Sequence, residues 1–305
     1  MTRLVQRLFH FAIVILGVTT LVFVALRMTG DPALMLLPGD PTPEDIVLAR
    51  QKLGVDKPWA IQYVAFVGNA FRGDFGVSFQ HGVDATSLVF ERLPATAALA
   101  GSALLLAAAF AIPLGILAAV YRGTAIDLVV MVLAVIGQGV PFFWLGLMLI
   151  LIFGVELRIF PTGGYGGLWH LVLPSLTLAG YIAASTARLA RSSMLEVLGR
   201  DYMRTARAKG LAPHVVVLKH GLRNASIPLI TFLGLQLGLL LGGTVVVEEI
   251  FGWPGVGRLL LQAISYRDYP VVQAATFILA MIFVLVNIMV DLIYVVLDPR
   301  IRDQR

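Results

Sequence analysis

The sequence predicts an all-α integral membrane protein with six transmembrane helices, an outer cap between the first two and a cytoplasmic coupling helix. Of its 305 residues, 58% are hydrophobic and 13% are charged, and the mean hydropathy is +0.88. Soluble domains carry about 45–50% apolar and about 25% charged residues. Because this excess is too large for a soluble core, the bilayer is the expected solvent.

Six stretches without Asp, Glu, Lys or Arg approach or exceed the roughly 20 apolar residues that a spanning helix needs. They are residues 8–26, 93–121, 128–155, 159–187, 224–247 and 269–290. The fourth begins with a glycine-rich segment, 162–167, which is typical of a loop, so its helix is expected from about Leu171. The first follows Arg3 and Arg7 like a signal peptide, but its length and the absence of a small-x-small site favour an uncleaved anchor.

The distribution of basic residues predicts that both termini are cytoplasmic. With that orientation the inner segments hold 14 of the Lys and Arg residues, whereas the longer outer segments hold 9. Inner loops of membrane proteins carry an excess of Lys and Arg. The net charge of +5 is therefore interpreted as topology and not as nucleic-acid binding. The absence of cysteine excludes disulfides and thiolate metal sites.

Four regions are expected along the chain: an N-terminal anchor helix (1–30), an extracytoplasmic cap (31–92), a permease core (93–297) and a cytoplasmic tail (298–305). The core includes a coupling loop at about 188–223. In the cap, residues 43–53 and 58–71 are predicted to be short helices, and residues 73–76 are predicted to form a turn. The acidic, proline-rich segment from Asp40 to Asp45 precedes the first of them.

A basic segment, residues 201–211, carries its own helix start and stop signals between two apolar stretches. Asp201 suits the free N–H groups at a helix start, and Gly210 suits the left-handed conformation that ends one. A helix of about two turns is unstable alone, so it must pack against something. Tyr202, Ala206 and Lys209 share one face by spacing, and Ala206 is small enough for a partner backbone to approach.

The residue chemistry of this segment leaves two interpretations open. The first is a docking element for another subunit. The second is an inner loop whose positive charges only set the topology.

The chain resembles the permease subunits of binding-protein-dependent ABC importers, in the dipeptide, oligopeptide and nickel branch. The resemblance is carried by motifs in order along nearly the whole chain. They are residues 141–146 (PFFWLG), 201–211 (DYMRTARAKGL), 218–225 (LKHGLRNA) with Pro228, 248–257 (EEIFGWPGVG), 267–270 (RDYP) and 298–300 (DPR).

The resemblance implies that residues 201–211 form the coupling helix that contacts an ATPase subunit. The matching positions are Asp201, Tyr202, Thr205, Ala206, Lys209, Gly210 and Leu211. The general family signature is Glu-Ala-Ala, three residues, then Gly; here Arg204-Thr205-Ala206 occupy the triplet. That departure is typical of the peptide branch, and it leaves the contact of the usual glutamate unassigned.

The resemblance also implies an importer of di- or oligopeptides in the bacterial inner membrane, working by alternating access. The implied partners are a second, similar permease, two ABC ATPases, an extracytoplasmic solute-binding protein and membrane lipid, but no nucleic acid. Glutathione and nickel complexes are alternative substrates, because this branch also carries them. ATP and Mg²⁺ are expected on the ATPase partners, and no cofactor or metal is expected in this chain.

The spans contain few polar side chains that could line a path. Gln138, Gln236, Thr244 and Asn287 are the pore-lining candidates, with hydrogen bonding between helices as the equal alternative. The adjacent acids Glu248 and Glu249 are placed at the outer mouth, where a structural or gating role is favoured. Asp291 is expected near the inner boundary of the last span, close to Asp298 and Arg300.

No enzymatic activity is expected, because the sequence has no phosphate-binding loop and no recognisable nucleophile–base or metal set. Its five histidines are scattered along the chain. A stand-alone secondary transporter is the alternative function, although the scarcity of charges within the spans disfavours an ion-driven pump.

Overall fold

The structure is a computed structural model that describes residues 2–28, 30–31, 33–34, 37 and 41–297, without the side chains of 2–10, 12, 241–243, 291 and 293–297. Within these residues the secondary structure is helical, apart from one isolated bridge between Val77 and Asp84. The chain divides into two compact units, residues 1–96 with 254–284 and residues 97–253 with 285–305. The predictions for Asp40, Asp298, Arg300 and the tail lie outside the described residues.

The first unit contains α1 (Thr2–Met28), α2 (Pro43–Leu53), α3 (Trp59–Ala70), the start of α4 (Ala85–Val120), α12 (Val256–Ser265) and most of α13 (Tyr269–Leu297). The two short helices predicted between the first spans are therefore present, within a residue of the expected bounds. Residues 73–76 turn the chain, because Gly73 and Gly76 have φ angles of 75° and 86° that glycine adopts without strain.

The start of α2 illustrates how local sequence fixes a helix end. The Thr42 hydroxyl accepts from the Asp45 amide at 3.3 Å, while the Asp45 carboxylate accepts from the Thr42 amide at 3.1 Å. This reciprocal pair is a capping box. Its hydrogen bonds, first that from the Thr42 side chain, lower the pKa of Asp45 below its ordinary value. The same helix ends at Gly54, with φ 65°.

The core of the first unit joins the helices of the outer segment to α12 and α13. Phe75 lies against Phe277 with ring centroids 5.3 Å apart, and Phe66 lies against Phe75 at 6.4 Å. Val89, Val256 and several small residues of α13 complete this apolar core. Residues 66–79 thus belong to a packed core.

The second unit is organised around α7 (Leu168–Leu198), which packs against α5 (Ala125–Gly139), α6 (Phe142–Leu149) and α10 (Arg223–Gly243). A π-helical turn, Ile150–Glu156, continues α6. Between α7 and α10 lie α8 (Asp201–Ala208), α9 (Pro213–Val215) and a second π-helical turn, Val216–Leu222; α11 (Val245–Ile250) follows α10.

The stretch 128–155, predicted as a span, is not one continuous helix. The helix breaks at Val140, and α5 and the extended α6 are bent by 101°. Pro141 has no N–H to donate, and it disfavours the helical conformation of the preceding residue. Val140 accordingly has φ −82° and ψ 122°. Pro174 and Pro228, in contrast, lie inside continuous helices.

Three helices among the described residues are long and apolar enough to cross a bilayer: Ala85–Val120, Leu168–Leu198 and Tyr269–Val290. The bent pair of α5 and the extended α6 is long and apolar enough when the two helices are taken together. If this pair is one span, the described residues contain up to four candidate spans. The described part of the chain is thus an all-α protein of membrane type. The count of six spans stays a prediction.

Candidate functional site: the loop between α7 and α10

The basic segment folds as the sequence predicts, into a two-turn helix with defined ends. α8 begins at Asp201, with Arg200 as the extended residue before it (φ −75°, ψ 151°). It ends at Lys209, and Gly210 follows in the left-handed conformation with φ 75°. Pro213 then begins α9, where its missing N–H has no effect on helical hydrogen bonding.

One face of α8 is buried against the rest of the loop. Met203 is fully buried and Ala206 is 7% exposed, and both pack against Val216 of the π-helical turn. Val197 and Leu198, at the end of α7, cover this cluster. Gly221 also lies close to this packing, since an added Cβ would be 3.1 Å from the Met194 Cε atom and would displace it by a few tenths of an ångström. These apolar contacts hold α8 in a fixed orientation.

The opposite face of α8 is exposed and carries most of the residues matched to the ATPase contact. Tyr202 is 43% exposed and Leu211 is 40% exposed; Asp201, Thr205, Lys209 and Gly210 are exposed as well. The Thr205 hydroxyl donates to the Asp201 carbonyl oxygen at 3.2 Å. The described contacts of this face are therefore within α8 itself.

Ala206 does not share the exposed face on which spacing placed it with Tyr202 and Lys209. Its side chain points to Met203 and Val216, because the three-residue spacing of Met203 and Ala206 forms the apolar side of the helix. A small residue at this position lets α8 approach its own chain closely. The side chains of α8 that remain accessible to a partner are therefore the exposed ones.

A second apolar cluster connects the loop to the helices that continue into the membrane-type part. Met194 of α7 is fully buried and packs with Ile116 and Ala119 of α4 and with Ala225 of α10. Leu198 packs against both this cluster and that of α8. A displacement of α8 would therefore act on α4, α7 and α10 through packed side chains.

An ion pair that sequence reasoning missed lies between α5 and α7. The Arg191 Nε atom donates to Asp127 Oδ1 at 2.6 Å, and its Nη2 atom donates to Oδ2 at 2.7 Å. The Gly123 amide also donates to Asp127 Oδ2, at 3.0 Å. The sequence carries no local signal for this pair, because the two residues lie 64 positions apart along the chain.

Two of the four pore-lining candidates lie beside α7. The Gln138 amide nitrogen donates to Ser185 Oγ at 2.8 Å, and its oxygen accepts from Arg188 Nη1 at 2.5 Å. Gln236 of α10 is 9% exposed and lines a cavity next to Tyr181. The structure thus brings Gln138 and Gln236 to neighbouring parts of the α7 surface.

The other two candidates, Thr244 and Asn287, differ in environment. Thr244 is 1% exposed, and its hydroxyl donates to Glu248 Oε1 at 2.9 Å. It is therefore buried within the protein, and its pore-lining role stays a prediction. Asn287 is half-buried on α13, and the structure does not bring it into the cavity beside Gln236.

The two acids predicted at the outer mouth have opposite environments. Glu248 is fully buried, whereas Glu249 is exposed, as expected for adjacent residues on a helix. The following turn is buried as well: Gly164 donates its amide to the Phe251 carbonyl at 2.7 Å, and Tyr165 contacts the Trp253 ring. The glycine-rich segment 162–167 is a loop, as predicted, and it packs on this turn.

The 267–270 motif has a structural role in the first unit. Asp268 is 1% exposed and accepts from Ser78 Oγ at 2.5 Å and from the amides of Phe79 and Gln80 at 3.1 and 3.2 Å. The Tyr269 hydroxyl lies 2.6 Å from the carbonyl oxygens of Leu26 and Gly30. This motif therefore connects two separate parts of the first unit, residues 26–30 and residues 78–80.

The described residues contain no group of three or more His, Asp or Glu side chains placed to hold a metal ion. The exposed side chains of the loop offer hydrogen-bond donors and cationic groups but no nucleophile–base pair. What this geometry offers chemically is a rigidly supported binding surface.

Comparison with known families covers almost the whole chain. The model described as "Binding-protein-dependent transport system inner membrane component" matches residues 111–303. The model described as the N-terminal part of the membrane component of such systems matches residues 1–100.

Individual relatives agree with the family models. The glutathione transport system permease protein GsiC of Escherichia coli strain K12 is 43% identical over 299 residues, which is 98% of each chain. GsiC of Salmonella typhi is 43% identical over 298 residues, or 97% of each chain.

A solved structure of the MetNI methionine ABC transporter in an inward-facing conformation has the same fold over 69% of this chain and 96% of its own. The TM-score is 0.57 and the identity is 20%, so this likeness concerns the fold alone. The resemblance drawn from the sequence motifs is confirmed. The chain is a multi-pass membrane transport component, not a catalytic subunit, and it belongs to the peptide and nickel family of binding-protein-dependent ABC importer permeases.

Proposed function

We propose that this chain is the translocation subunit of an ATP-driven importer of short peptides, and that α8 receives the motion of a separate ATPase subunit. The observation that carries the proposal is the two-sided character of α8. Its exposed face holds Tyr202, Thr205 and Lys209, while Met203 and Ala206 bury the other face. A loop that only set the topology would need basic residues but no such packed support.

The packing of the loop supports transmission of force from α8. Met203, Ala206 and Val216 form one apolar cluster, and Leu198 packs against it. Leu198 also packs against the second cluster, in which Met194 lies between α4, α7 and α10. Apolar interiors are packed at crystal-like density and transmit displacement with little compression. The Arg191–Asp127 pair extends the connection from α7 to α5.

The proposed assembly contains a second, similar permease, two ATPase subunits that bind ATP and Mg²⁺, and an extracytoplasmic solute-binding protein. The family description, which names a binding-protein-dependent system, supports this composition. In the proposal both termini are cytoplasmic, residues 31–92 form an outer cap and residues 188–223 form the inner coupling loop. ATP binding closes the ATPase pair, and α8 carries that motion to the spans.

Glutathione is the first substrate to test within the peptide class. Two relatives with 43% identity are named as glutathione permeases, and glutathione is itself a tripeptide. Di- and oligopeptides remain in the proposal, and nickel complexes are the alternative. The main selection is assigned to the solute-binding protein.

The test is reconstitution of the complete assembly in liposomes with radiolabelled glutathione and a dipeptide. The proposal predicts uptake only with ATP, the ATPase subunits and the binding protein. Uptake by the purified chain alone, driven by an ion gradient without ATP, would instead support the stand-alone secondary transporter.

A further inference from the structure

The second unit contains an apolar cavity of about 370 Å³ between α6, α7 and α10. Phe142, Leu178, Tyr181, Ile182 and Leu239 form its walls. The aromatic and aliphatic composition suits an apolar side chain, and ligand sites in proteins are commonly of this size and character. A polar group at its wall determines what else can bind.

That polar group is the amide of Gln236. Its side chain is about nine-tenths buried and lines the cavity, and over residues 41–297 its amide has no protein hydrogen-bond partner. Its amide nitrogen and oxygen keep access to the cavity, so both are available to a ligand. A ligand that brings a peptide group into the cavity would satisfy both the donor and the acceptor of this side chain.

A polar row on α7 continues from the cavity. Tyr181, Ser185 and Arg188 follow one another at four- and three-residue spacing, which places them on one face of the helix. Gln138 of α5 bridges the last two, since it donates to Ser185 Oγ at 2.8 Å and accepts from Arg188 Nη1 at 2.5 Å. Gln138 therefore holds the guanidinium of Arg188 in place on this row.

Arg188 differs from Arg191, one turn further along α7, in its charge environment. Arg191 is neutralised by a two-point contact with Asp127. Arg188 is exposed and has no carboxylate partner among the residues that the structure describes. A guanidinium has five N–H donors, and one bond to Gln138 leaves enough for a two-point contact with a carboxylate.

The spacing of these groups matches a short peptide. Arg188 lies seven positions after Tyr181, which corresponds to a rise of about 10 Å along the helix. An extended tripeptide is also about 10 Å long. A carboxylate at Arg188 therefore places the other end of a tripeptide beside the cavity.

We propose that this surface is a transit site for peptides of two or three residues with a free C-terminal carboxylate. The carboxylate binds Arg188, a peptide group of the chain binds Gln236, and an apolar side chain enters the cavity. The site rests on the proposed peptide-import function and adds a second point of selection, inside the permease, for the charge at the peptide's end.

The experiment measures direct binding of tritiated Ala-Ala-Phe and of its C-terminal amide to the complete permease–ATPase assembly in nanodiscs. Omitting the binding protein removes its own selectivity from the measurement. Because a guanidinium binds a carboxylate more strongly than a neutral amide, the assembly is expected to bind the acid at least about tenfold more tightly than the amide. Arg188→Gln should abolish this preference, and Arg188→Lys should retain part of it.

Arg122→Gln is the matched control, because it removes the same charge from another exposed position of the same unit and should leave the preference unchanged. An unchanged acid preference in Arg188→Gln, with normal membrane abundance, would overturn the site. So would the absence of peptide binding in an assembly that imports the same peptide. If the assembly binds the acid through Arg188 but imports no peptide, the site stands and the proposed import function fails.

Discussion

Arg191 holds the carboxylate of Asp127 at two points, Nε to Oδ1 at 2.6 Å and Nη2 to Oδ2 at 2.7 Å. The pair joins the first turn of α5 to the part of α7 that leads into α8. Asp127 also accepts from the Gly123 amide at 3.0 Å, so the carboxylate fixes the turn before α5 as well. The pair is a two-point connection between α7 and the bent pair of helices.

Asp127→Asn should destabilise the protein and slow ATP-driven uptake, because it leaves Arg191 without its counter-charge. Breaking a fully buried pair costs about 3–5 kcal/mol, and the loss here should be smaller, because the Arg191 side chain keeps 26% of its surface exposed. Thermal unfolding in detergent measures the change. The control is Glu196→Gln, which breaks the exposed Arg200 pair and should cost less than about 1 kcal/mol. Equal losses in the two variants would contradict this assignment.

Gly210→Val should uncouple uptake from ATP hydrolysis while membrane insertion stays normal. Gly210 has φ 75°, and no heavy atom lies within 4 Å of the position of an added Cβ. The penalty is therefore backbone strain, which is large for a β-branched residue at positive φ. Asn tolerates this conformation better, so Gly210→Asn should retain more uptake. Gly199→Ala is the control, because Gly199 has φ −82°. Normal uptake by an abundant Gly210→Val protein would reject the role.

Met203→Ala should weaken the support of α8 without changing its exposed face. Truncating a fully buried Met in a packed cluster typically costs about 2–5 kcal/mol, and here the loss should appear as faster hydrogen exchange across residues 201–211. Thr205→Ala, on the exposed face, should leave exchange unchanged and weaken ATPase association. If neither variant weakens ATPase association and both change only hydrogen exchange, the exposed face is not the contact surface.

Asp268→Asn should loosen the outer segment, because one carboxylate there accepts from Ser78 and from two backbone amides. Replacing an ionised acceptor of several hydrogen bonds is expected to cost about 1–3 kcal/mol. Limited proteolysis of residues 41–84 in right-side-out vesicles measures the effect. The exposed Glu91 provides the control variant Glu91→Gln. Protease resistance equal to that of the unchanged protein would show that Asp268 does not hold this segment.

The sequence contains the local signals for α8 and for the outer helices. Asp201, Gly210 and Pro213 mark the ends of α8 and the start of α9 through backbone conformation alone, so a single sequence is sufficient to place them. Pro141 also carries a local signal, but proline is tolerated in many membrane helices, as Pro174 shows. Which proline breaks a helix depends on neighbours that only the folded chain provides.

The parts of the site that could not be predicted depend on contacts between distant residues. The inward face of α8 is selected by Val216 and Leu198, and without these contacts spacing groups Ala206 with Tyr202 and Lys209, which are exposed. The Asp127–Arg191 pair spans 64 residues, and nothing near Asp127 in sequence identifies Arg191 over the other basic residues. The sequence likewise does not distinguish Glu248 from Glu249, whereas the fold buries Glu248 and places the Thr244 hydroxyl against its carboxylate.

Site-specific cross-linking from α8 tests the central claim most directly. Because the 305 residues contain no cysteine, Thr205→Cys provides a single thiol in this chain for a photoactivatable maleimide. The account predicts a cross-link to an ATPase subunit whose yield changes when ATP is added, and no such product from Glu44→Cys in the outer segment. A Thr205→Cys product that excludes the ATPase, or labelling of this residue from the outer side of intact cells, would contradict it.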